Sequence, residues 1–241
     1  MAENDFSSFA RYYDQIYLKM KDYESESQAI ENIIRKFEKR PFRSILDVGC
    51  GTGEHLKYLS RHFQCSGIDI SKEMIEAART KIPDAKFEVA DMKNLRLEAR
   101  FDVVMSLFGS IGYVQNIKNL TKTLSNFHTH LNGGGLAIVE PWVFKKNFLR
   151  GRFSIDTYED EKLKLVRMGT SKLTRSHWLV IFHYLIGAED RIEHELEIHK
   201  MLAAEYEDYM NAFKMAGFSA FSSLDKNMWP GSRGLFVAFR Q

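Results

Sequence analysis

The sequence has few of the features that mark secreted or membrane-bound proteins. It contains only 2 cysteines in 241 residues, which are too few for a disulfide framework. The segment Met1–Asp5 lacks the basic and apolar regions of a signal peptide. No unbroken apolar run approaches the roughly 18 residues of a membrane helix. We therefore expect a cytoplasmic protein that has no membrane partner.

The chain also lacks an excess of charge of either sign. Its 34 lysines and arginines nearly balance its 32 aspartates and glutamates, giving a formal net charge of +2. No stretch interleaves basic with aromatic residues, the pattern of a nucleic-acid-binding strand. His194 and His199 have no cysteine nearby, so they are interpreted as strand-face residues and not as metal ligands. We expect a small-molecule ligand, no nucleic acid and no metal.

An ordered alternation of strand and helix patterns is present instead. The apolar segment Ser44–Val48 is followed by a glycine loop and a helical stretch over Glu54–Phe63, which is the opening of a βαβ unit. An amphipathic helix over Asp22–Lys39 precedes it. Further strands are predicted over Cys65–Ile70, Lys86–Val89, Phe101–Leu107, Gly135–Glu140, Phe218–Leu224 and Gly234–Arg240, and further helices over Lys72–Lys81, Leu120–Leu131 and Glu205–Ala216.

The alternation stops between Pro141 and Ala204. Lys162–Thr174, His177–Ile186 and Arg191–Leu202 have the pattern of three long strands separated by polar turns, an antiparallel meander inserted in an α/β chain. The run Gly133–Gly135 is predicted to be the turn before the fifth strand. We expect a single domain over 1–241, with an N-terminal helical lid (1–40), an α/β core (41–140 and 205–241) and an inserted cap (141–204).

The loop after the first strand carries the most chemical information. Its glycines, Gly49, Gly51 and Gly53, follow the spacing G-x-G-x-G, which differs from the dinucleotide fingerprint G-x-G-x-x-G. Glycines at this point let the backbone turn tightly and approach a ligand at a helix N-terminus. Asp47 precedes the loop, and Cys50 inside it is interpreted as a small packing residue. The loop predicts a ligand site at the end of the first strand.

Two further acidic residues stand at the ends of the next strands. Asp69 ends the second strand, where a carboxylate can accept hydrogen bonds from the hydroxyls of a ribose. Asp91 follows the third strand and is adjacent to Met92. A carboxylate there can accept from an adenine amino group while the thioether packs on the ring. Together the three strand ends predict a site for an adenosine-containing ligand.

These motifs resemble those of the class I S-adenosylmethionine-dependent methyltransferases. The fragments Gly109–Tyr113, Val139–Trp142, Phe182–Leu185 and Ser232–Phe236 are similar, more narrowly, to the dTDP-3-amino-deoxysugar N,N-dimethyltransferases of the desosamine and mycaminose type. The resemblance implies a Rossmann-like seven-stranded sheet with helices on both faces and S-adenosylmethionine as the cofactor. It also implies methyl transfer to the amine of a nucleotide-linked amino sugar.

The resemblance also assigns residues. It implies cofactor contacts from Tyr23, Gly49, Asp69, Asp91, Met92 and Leu107, to which the glycine loop and second strand end add Asp47, Cys50, Gly51, Gly53 and Ile70. It places Tyr13, Trp142, Arg167 and Arg233 near the substrate, and we add Glu140. Either arginine could pair with a diphosphate through two parallel hydrogen bonds. The N-terminal tyrosines are expected to belong to a lid over the site.

Methyl transfer requires an uncharged nucleophile, so an ammonium must first lose its proton to water or to a base. Tyr113, Glu140 and His183 are candidates for that base. Some members of the family carry histidine at the position of Tyr113, so the tyrosine weakens any claim for one obligatory histidine. The sequence identifies no base uniquely.

Other functions stay open at this level. The acceptor could be another amine, a free amino acid or a hydroxyl, or the protein could bind S-adenosylmethionine as a regulator without turnover. A nicotinamide oxidoreductase is disfavoured by the loop spacing and by Asp91–Met92. The chain could also form a homodimer.

Overall fold

The computed structural model describes residues 10–224, 229–231 and 233–241. These residues form two sheets, one of seven strands and one of four. The strands in chain order are β1 (Ser44–Val48), β2 (Gln64–Asp69), β3 (Lys86–Val89), β4 (Phe101–Ser106), β5 (Leu131–Val139), β6 (Phe153–Glu159), β7 (Lys164–Leu173), β8 (His177–Ala188), β9 (Arg191–Leu202), β10 (Ala220–Leu224) and β11 (Leu235–Phe239).

The seven-stranded sheet has the order β3-β2-β1-β4-β5-β11-β10. β1 to β5 pair in parallel, whereas β11 runs antiparallel to both β5 and β10. The central strand β4 is buried at all six positions, because a parallel strand is covered by helices on both faces. The predicted α/β class is confirmed by this topology.

The described α-helices are α1 (Tyr13–Met20), α2 (Tyr23–Phe37), α3 (Glu54–Leu59), α4 (Lys72–Lys81), α5 (Ile117–His130) and α6 (Tyr206–Met215). Local capping explains where they begin. The Asp22 side chain accepts a hydrogen bond from the Ser25 N–H at 2.9 Å and starts α2. Ser71 accepts from the Met74 N–H at 3.2 Å and starts α4. None of these helices is long and apolar enough to cross a lipid bilayer.

Two predicted helix boundaries were wrong. α3 ends at Leu59 and does not continue to Phe63, because the chain turns there to enter β2. α5 begins at Ile117 and not at Leu120. The Asn116 side chain caps the helix by accepting a hydrogen bond from the Asn119 N–H. The polar residues of this first turn were wrongly assigned to a loop.

The glycine run before the fifth strand was also misassigned. Gly133–Gly135 lies inside β5, which begins at Leu131, and does not form a turn ahead of it. Gly134 has φ +75°, and the pairing of β5 with β4 shifts register here. The glycines therefore form a β-bulge, which accommodates a left-handed residue within the strand.

The four-stranded sheet has the antiparallel order β6-β7-β8-β9 and is inserted between β5 and α6. We call it the cap sheet. The sequence predicted three of its strands but not β6. That strand lies at the edge of the sheet, and its apolar residues Phe153 and Ile155 are exposed. It consequently lacks the buried apolar run that marks the other strands.

The N-terminal segment packs between the two sheets. Ile16 of α1 is buried in an apolar cluster with Leu165, Tyr184 and Ile186 of the cap sheet. The predicted lid begins earlier, but residues 1–9 lie outside the described part of the chain. α1 therefore contacts the cap sheet directly, on the side that faces the seven-stranded sheet.

Candidate active site

A cavity of about 650 Å³ lies between the carboxyl ends of the parallel strands, the cap sheet and α1. Residues within two positions of the ends of β1, β3 and β5 line it, among them Gly49, Asp91 and Glu140. In open α/β sheets, ligands bind outside the carboxyl ends of the strands. The cavity volume is in the range of small-molecule sites.

The glycine loop forms the floor of this cavity. Gly49 has φ +77° and Gly51 has φ +55°, a region that side chains with a Cβ rarely adopt. A Cβ added at Gly49 would lie 2.7 Å from the Cβ of Ser110, so no larger residue fits without moving the loop. Gly53 lies away from the cavity and packs against Ala78 of α4. It allows the loop to enter α3 and does not contact the cavity.

Two buried carboxyls stand beside the loop. Asp69 accepts hydrogen bonds from the Gly51 N–H at 2.9 Å and the Ser71 N–H at 3.0 Å. Burial still raises its pKa, although these two bonds oppose the shift. Burial raises the pKa of Asp47 to about 8, and the charge of Asp69 adds to that shift. One carboxyl oxygen of Asp47 is buried and has no hydrogen-bond partner among the described residues.

An unpartnered buried carboxyl oxygen is costly unless a donor reaches it. The residues present therefore fit S-adenosylmethionine, whose ammonium group could donate a hydrogen bond to the carboxyl of Asp47. The positive-φ loop leaves the backbone open to close approach by the same ligand. Asp69 and Asp91 stand at successive strand ends, where they can accept from the ribose and the adenine.

The outer part of the same wall is apolar. Ile70 lines the cavity although 59% of its surface is exposed. Met92 lines it as well, next to Asp91, whose carboxylate accepts from the Lys93 N–H at 2.9 Å. A large apolar side chain exposed in a cavity is a surface on which a planar ring can stack. We call the part of the cavity formed by Gly49, Gly51, Asp69, Asp91 and their neighbours the cofactor end.

A small side pocket of about 30 Å³ adjoins the cofactor end. Its lining includes Tyr23, Asp47, Cys50 and Leu107. Burial raises the pKa of the Cys50 thiol, so this cysteine is not an activated nucleophile. Burial likewise raises the pKa of Tyr23, whose ring stacks edge-on against His55.

Helix α1 covers the cavity and is held by side-chain bonds at two of its residues, Asp14 and Tyr17. The Thr52 hydroxyl donates to the Asp14 carboxylate at 2.6 Å, and Lys81 forms an ion pair with the same carboxylate. Arg167 donates to the Tyr17 hydroxyl at 2.7 Å. Tyr13 and Tyr17 both line the cavity. In this structure α1 is therefore closed over the site and contacts both the glycine loop and the cap sheet.

Arg233 also lines the cavity and lies against two aromatic rings. Its guanidinium carbon is 4.6 Å from the centre of the Trp142 ring and 5.1 Å from that of Phe108. Its ion pair with Glu140 is long, at 3.5 Å, and its buried Nε has no hydrogen-bond partner among the described residues. Arg233 is therefore a cation held in place by ring faces and still able to donate a hydrogen bond.

Glu140 fixes the loop on which Phe108 stands. The Glu140 carboxylate accepts from the Phe108 N–H at 2.7 Å. Phe108 has φ +54°, a strained conformation that the surrounding structure must hold. Glu140 consequently shapes the wall of the cavity beneath Trp142 and Arg233. We call the part of the cavity around Arg233 and Trp142 the acceptor end.

Arg167 lines the cavity but already has an acidic partner. Its Nε and one terminal nitrogen both donate to the Asp156 carboxylate, at 2.9 and 2.7 Å. Its guanidinium lies 4.5 Å from the centre of the Phe182 ring, and its side chain is almost wholly buried. The sequence suggested a diphosphate as the partner of Arg167. In the structure, its charge is balanced within the cap sheet.

The catalytic candidates of the sequence analysis are placed very differently. His183 lies on the outer face of the cap sheet, is exposed, and stacks on His194 at a ring distance of 5.3 Å. Its strand neighbour Phe182 lines the cavity, whereas His183 does not, because successive residues of a strand point to opposite faces. We therefore do not propose His183 as a base.

Tyr113 does line the cavity, and it is bonded to His199, which the sequence analysis interpreted only as a strand-face residue. The Tyr113 hydroxyl lies 2.9 Å from Nδ1 of His199, and Nε2 of His199 lies 3.2 Å from the carboxylate of Glu197. His199 also lines the cavity. The signal was available in the alternation Glu197-x-His199 on one face of β9, but which face is inward could not be read from it.

Comparisons with known proteins agree with this geometry. A family model described as "Methyltransferase domain" matches residues 45–135. The chain is 34% identical to a dTDP-3-amino-3,6-dideoxy-alpha-D-glucopyranose N,N-dimethyltransferase of Streptomyces fradiae, over 97% of this chain and 91% of the relative. It is 32% identical to a dTDP-3-amino-3,4,6-trideoxy-alpha-D-glucopyranose N,N-dimethyltransferase of Streptomyces venezuelae, over 93% of this chain and 94% of that one.

Solved structures give the same result. The crystal structure of DesVI from Streptomyces venezuelae has a TM-score of 0.89 and 31% identity, and the match covers 100% of both chains. A structure of CalS10 from Micromonospora echinaspora, described as a SAM-bound amino pentose methyltransferase, has a TM-score of 0.85 and 25% identity over 100% of both chains. The whole described arrangement of sheet and cap sheet therefore has counterparts in solved structures.

Proposed function

Because the chain belongs to the S-adenosylmethionine-dependent methyltransferases, in the family that includes the dTDP-amino-sugar N,N-dimethyltransferases, we propose that its acceptor is the amine of a nucleotide-linked amino sugar. The protein is a methyltransferase with S-adenosylmethionine as its cofactor. When bound, the cofactor supplies an electrophilic methyl group on a sulfonium. The remaining question is what this chain's residues do to the acceptor.

One observation carries the proposal. Arg233 lines the cavity against Trp142 and Phe108, and its buried Nε has no hydrogen-bond partner among the residues that the structure describes. A buried guanidinium that lacks a full set of acceptors is suited to an anionic ligand. The diphosphate of a nucleotide sugar supplies such oxygens, whereas a simple amine does not. The cavity volume of about 650 Å³ is in the range of small-molecule sites.

The chain would act mainly by orientation. Orientation of a nucleophile toward its target can remove roughly 7–11 kcal/mol of a barrier. Arg233 would hold the diphosphate, α1 would exclude water above the site, and Tyr113 would face the amine from the wall of the cavity. From the geometry of the cofactor end, we propose that the cofactor is contacted by Asp47, Gly49, Gly51, Asp69, Ile70, Asp91 and Met92.

The test is a turnover panel that uses one amino sugar in two forms. S-Adenosylmethionine is supplied with a dTDP-3-amino-deoxysugar, with the same amino sugar lacking the nucleotide, and with a simple amine, and product masses are recorded. We expect methylation of the nucleotide-linked sugar and much slower reaction of the other two. Equal rates on all three would favour a general amine methyltransferase. Cofactor binding without turnover on any of them would favour a regulatory role.

We also propose a homodimer formed through the outer face of the cap sheet. Phe153, Ile155, Leu185 and Ile192 point outward from this sheet and are each about half exposed or more. Exposed apolar side chains grouped on one face mark an interaction surface, and a two-fold contact of one face with its own copy is the commonest arrangement. Light scattering should give twice the monomer mass, and Ile192→Lys should lower it.

A cytoplasmic location is proposed on the state of the cysteines. Cys50 and Cys65 are both free and buried. Unpaired thiols are typical of a reducing compartment. Fractionation of the producing cells should place the protein with cytosolic markers, and recovery from the medium would contradict this.

A further inference from the structure

A chain of hydrogen bonds runs from the acceptor end into the cap sheet. It begins at the Tyr113 hydroxyl, passes through both ring nitrogens of His199 and ends at the Glu197 carboxylate. The hydroxyl of Tyr184 donates to the same carboxylate oxygen at 2.8 Å. His199 and Glu197 are buried, with 7% and 4% of their surfaces exposed. A buried polar chain of this kind is costly unless each member is bonded.

The acceptors in this chain fix the tautomer of His199. The Glu197 carboxylate can only accept, so Nε2 of His199 carries the proton that it shares with Glu197. Nδ1 is then the acceptor for the Tyr113 O–H. The Tyr113 side chain also lines the cavity. The hydrogen bonds therefore define a direction for proton transfer, from Tyr113 to Nδ1 of His199, whose Nε2 is bonded to the Glu197 carboxylate.

We propose that Tyr113, His199 and Glu197 form a relay that takes the proton from the acceptor's ammonium, an inference that rests on the proposed function. The N–H bond of the ammonium breaks and its proton passes to the Tyr113 oxygen. The Tyr113 O–H proton passes at the same time to Nδ1 of His199, which becomes an imidazolium beside the Glu197 carboxylate. The amine is left neutral with its lone pair available. Charge and protons balance without any further reactant.

In this relay only Tyr113 touches the substrate. His199 and Glu197 are positioning residues that act through Tyr113. Glu197 orients His199, as the carboxylate orients the histidine in a catalytic triad. Other titratable groups around the relay set its electrostatic surroundings. They are Tyr13, Tyr17, Asp69 and Arg233 around Tyr113, and Tyr184 beside Glu197.

The raised pKa of Tyr113 fits a relay better than a tyrosinate acting alone as the base. Burial raises the pKa of Tyr113 well above its ordinary value. A tyrosinate is therefore disfavoured at neutral pH, and the hydroxyl can accept a proton only if it passes its own to another group. His199 is the group placed to take it.

The test compares His199→Gln with the wild type across a range of pH. Glutamine keeps a side chain that can bond Tyr113 but cannot take up a proton. With a dTDP-3-amino-deoxysugar at pH 7, we expect kcat/KM to fall about 100-fold, the lower range of general base catalysis. The loss should shrink to a few-fold above the pKa of the amine, because the substrate then arrives already neutral. Affinity for S-adenosylmethionine should not change.

Two further variants complete the comparison. Tyr113→Phe should reproduce the pH dependence of His199→Gln, and the double variant should be no worse than either single one, because the residues act as one unit. His194→Gln is the matched control, since His194 lies on the same strand but on the exposed outer face. It should leave the pH profile unchanged.

A direct observation covers the case in which the variants fold poorly. In the wild type bound to S-adenosylhomocysteine, addition of the amino sugar nucleotide should shift the His199 ring signals in the NMR spectrum, because the bound amine contacts the Tyr113 hydroxyl that donates to Nδ1 of His199. An unchanged ring signal, or a loss of rate in His199→Gln that is equal at every pH, would overturn the relay. Absence of turnover by the wild type would instead overturn the proposed function, so the two failures are distinguishable.

Discussion

The two ends of the cavity are built in different ways. The cofactor end is made of backbone and of carboxyls at the ends of adjacent parallel strands, such as Gly49 after β1 and Asp69 at the end of β2. The acceptor end is assembled from side chains far apart in sequence, such as Tyr113, His199 and Arg233. The first can be read from a short stretch of sequence. The second exists only after the cap sheet has closed on the core.

This difference explains what the sequence revealed. The glycine spacing and the acidic strand ends predicted the cofactor end because parallel strands place their carboxyl ends at one edge of a sheet. The pairing of Arg167 with Asp156 was missed because it depends on the register of β6 against β7, and β6 itself was not predicted. A surface arginine and a paired one look identical in sequence.

The same holds for the base candidates. His183 and His199 both lie in long strands of the cap sheet, yet His183 faces outward and His199 faces the cavity. A strand offers two faces, and a shift of one residue exchanges them. Which face is inward depends on how the whole cap sheet packs against α1 and the core. The fold class was therefore predictable, and the acceptor end was not.

The largest expected effect is at the glycine loop. Gly49→Ala places a Cβ 2.7 Å from that of Ser110 at a φ of +77°, so the loop must move away from its ligand. We expect binding of S-adenosylmethionine, measured by isothermal titration calorimetry, to fall below detection. Gly134→Ala is the control, because it has φ +75° but open space around it. Gly134→Ala should lower the free energy of unfolding by about 1–2 kcal/mol and leave cofactor affinity intact. If both variants lost cofactor affinity to the same extent, backbone strain and not the position of Gly49 would be the cause.

A second effect concerns the electrostatics of the cofactor end. Because the pKa of Asp47 is raised to about 8, the native apoprotein keeps a proton that the unfolded chain has released. The contribution of Asp47 to the free energy of unfolding then falls as the pH rises from about 4 to 8. Asp47→Asn removes this dependence, so the variant should be more stable than the wild type by a few kcal/mol at pH 9 and similar to it near pH 4, in urea unfolding.

The exposed Asp84→Asn is the control for that series, and it should follow the wild type at every pH. A wild type whose stability rises between pH 5 and pH 8, or an Asp47→Asn variant that tracks it, would contradict the buried and unpaired state of Asp47. Such an outcome would remove one of the reasons for placing the cofactor's ammonium beside Asp47.

A smaller effect is expected where the lid joins the two ends. Tyr17→Phe removes one hydrogen bond to Arg167 but keeps the ring between Arg167 and Phe108. Arg167 stays paired with Asp156, so the loss is limited to about 1–2 kcal/mol. We expect KM for both ligands to rise roughly three- to tenfold, since the lid covers both. Tyr158→Phe removes a hydroxyl that donates to Asp160 at the surface, and a similar change in KM there would argue against the role of the lid.

The most direct test of the two-ended cavity is a crossed measurement on Asp69→Ala and Arg233→Lys. Asp69→Ala removes an acceptor at the cofactor end, and Arg233→Lys removes the planar donor fork at the acceptor end. For Asp69→Ala we expect the Kd of S-adenosylmethionine to rise about 10- to 100-fold with little change in the acceptor's KM. For Arg233→Lys we expect the acceptor's KM to rise about tenfold with an unchanged cofactor Kd. If both variants changed the same constant to the same extent, the assignment of separate cofactor and acceptor ends would be contradicted.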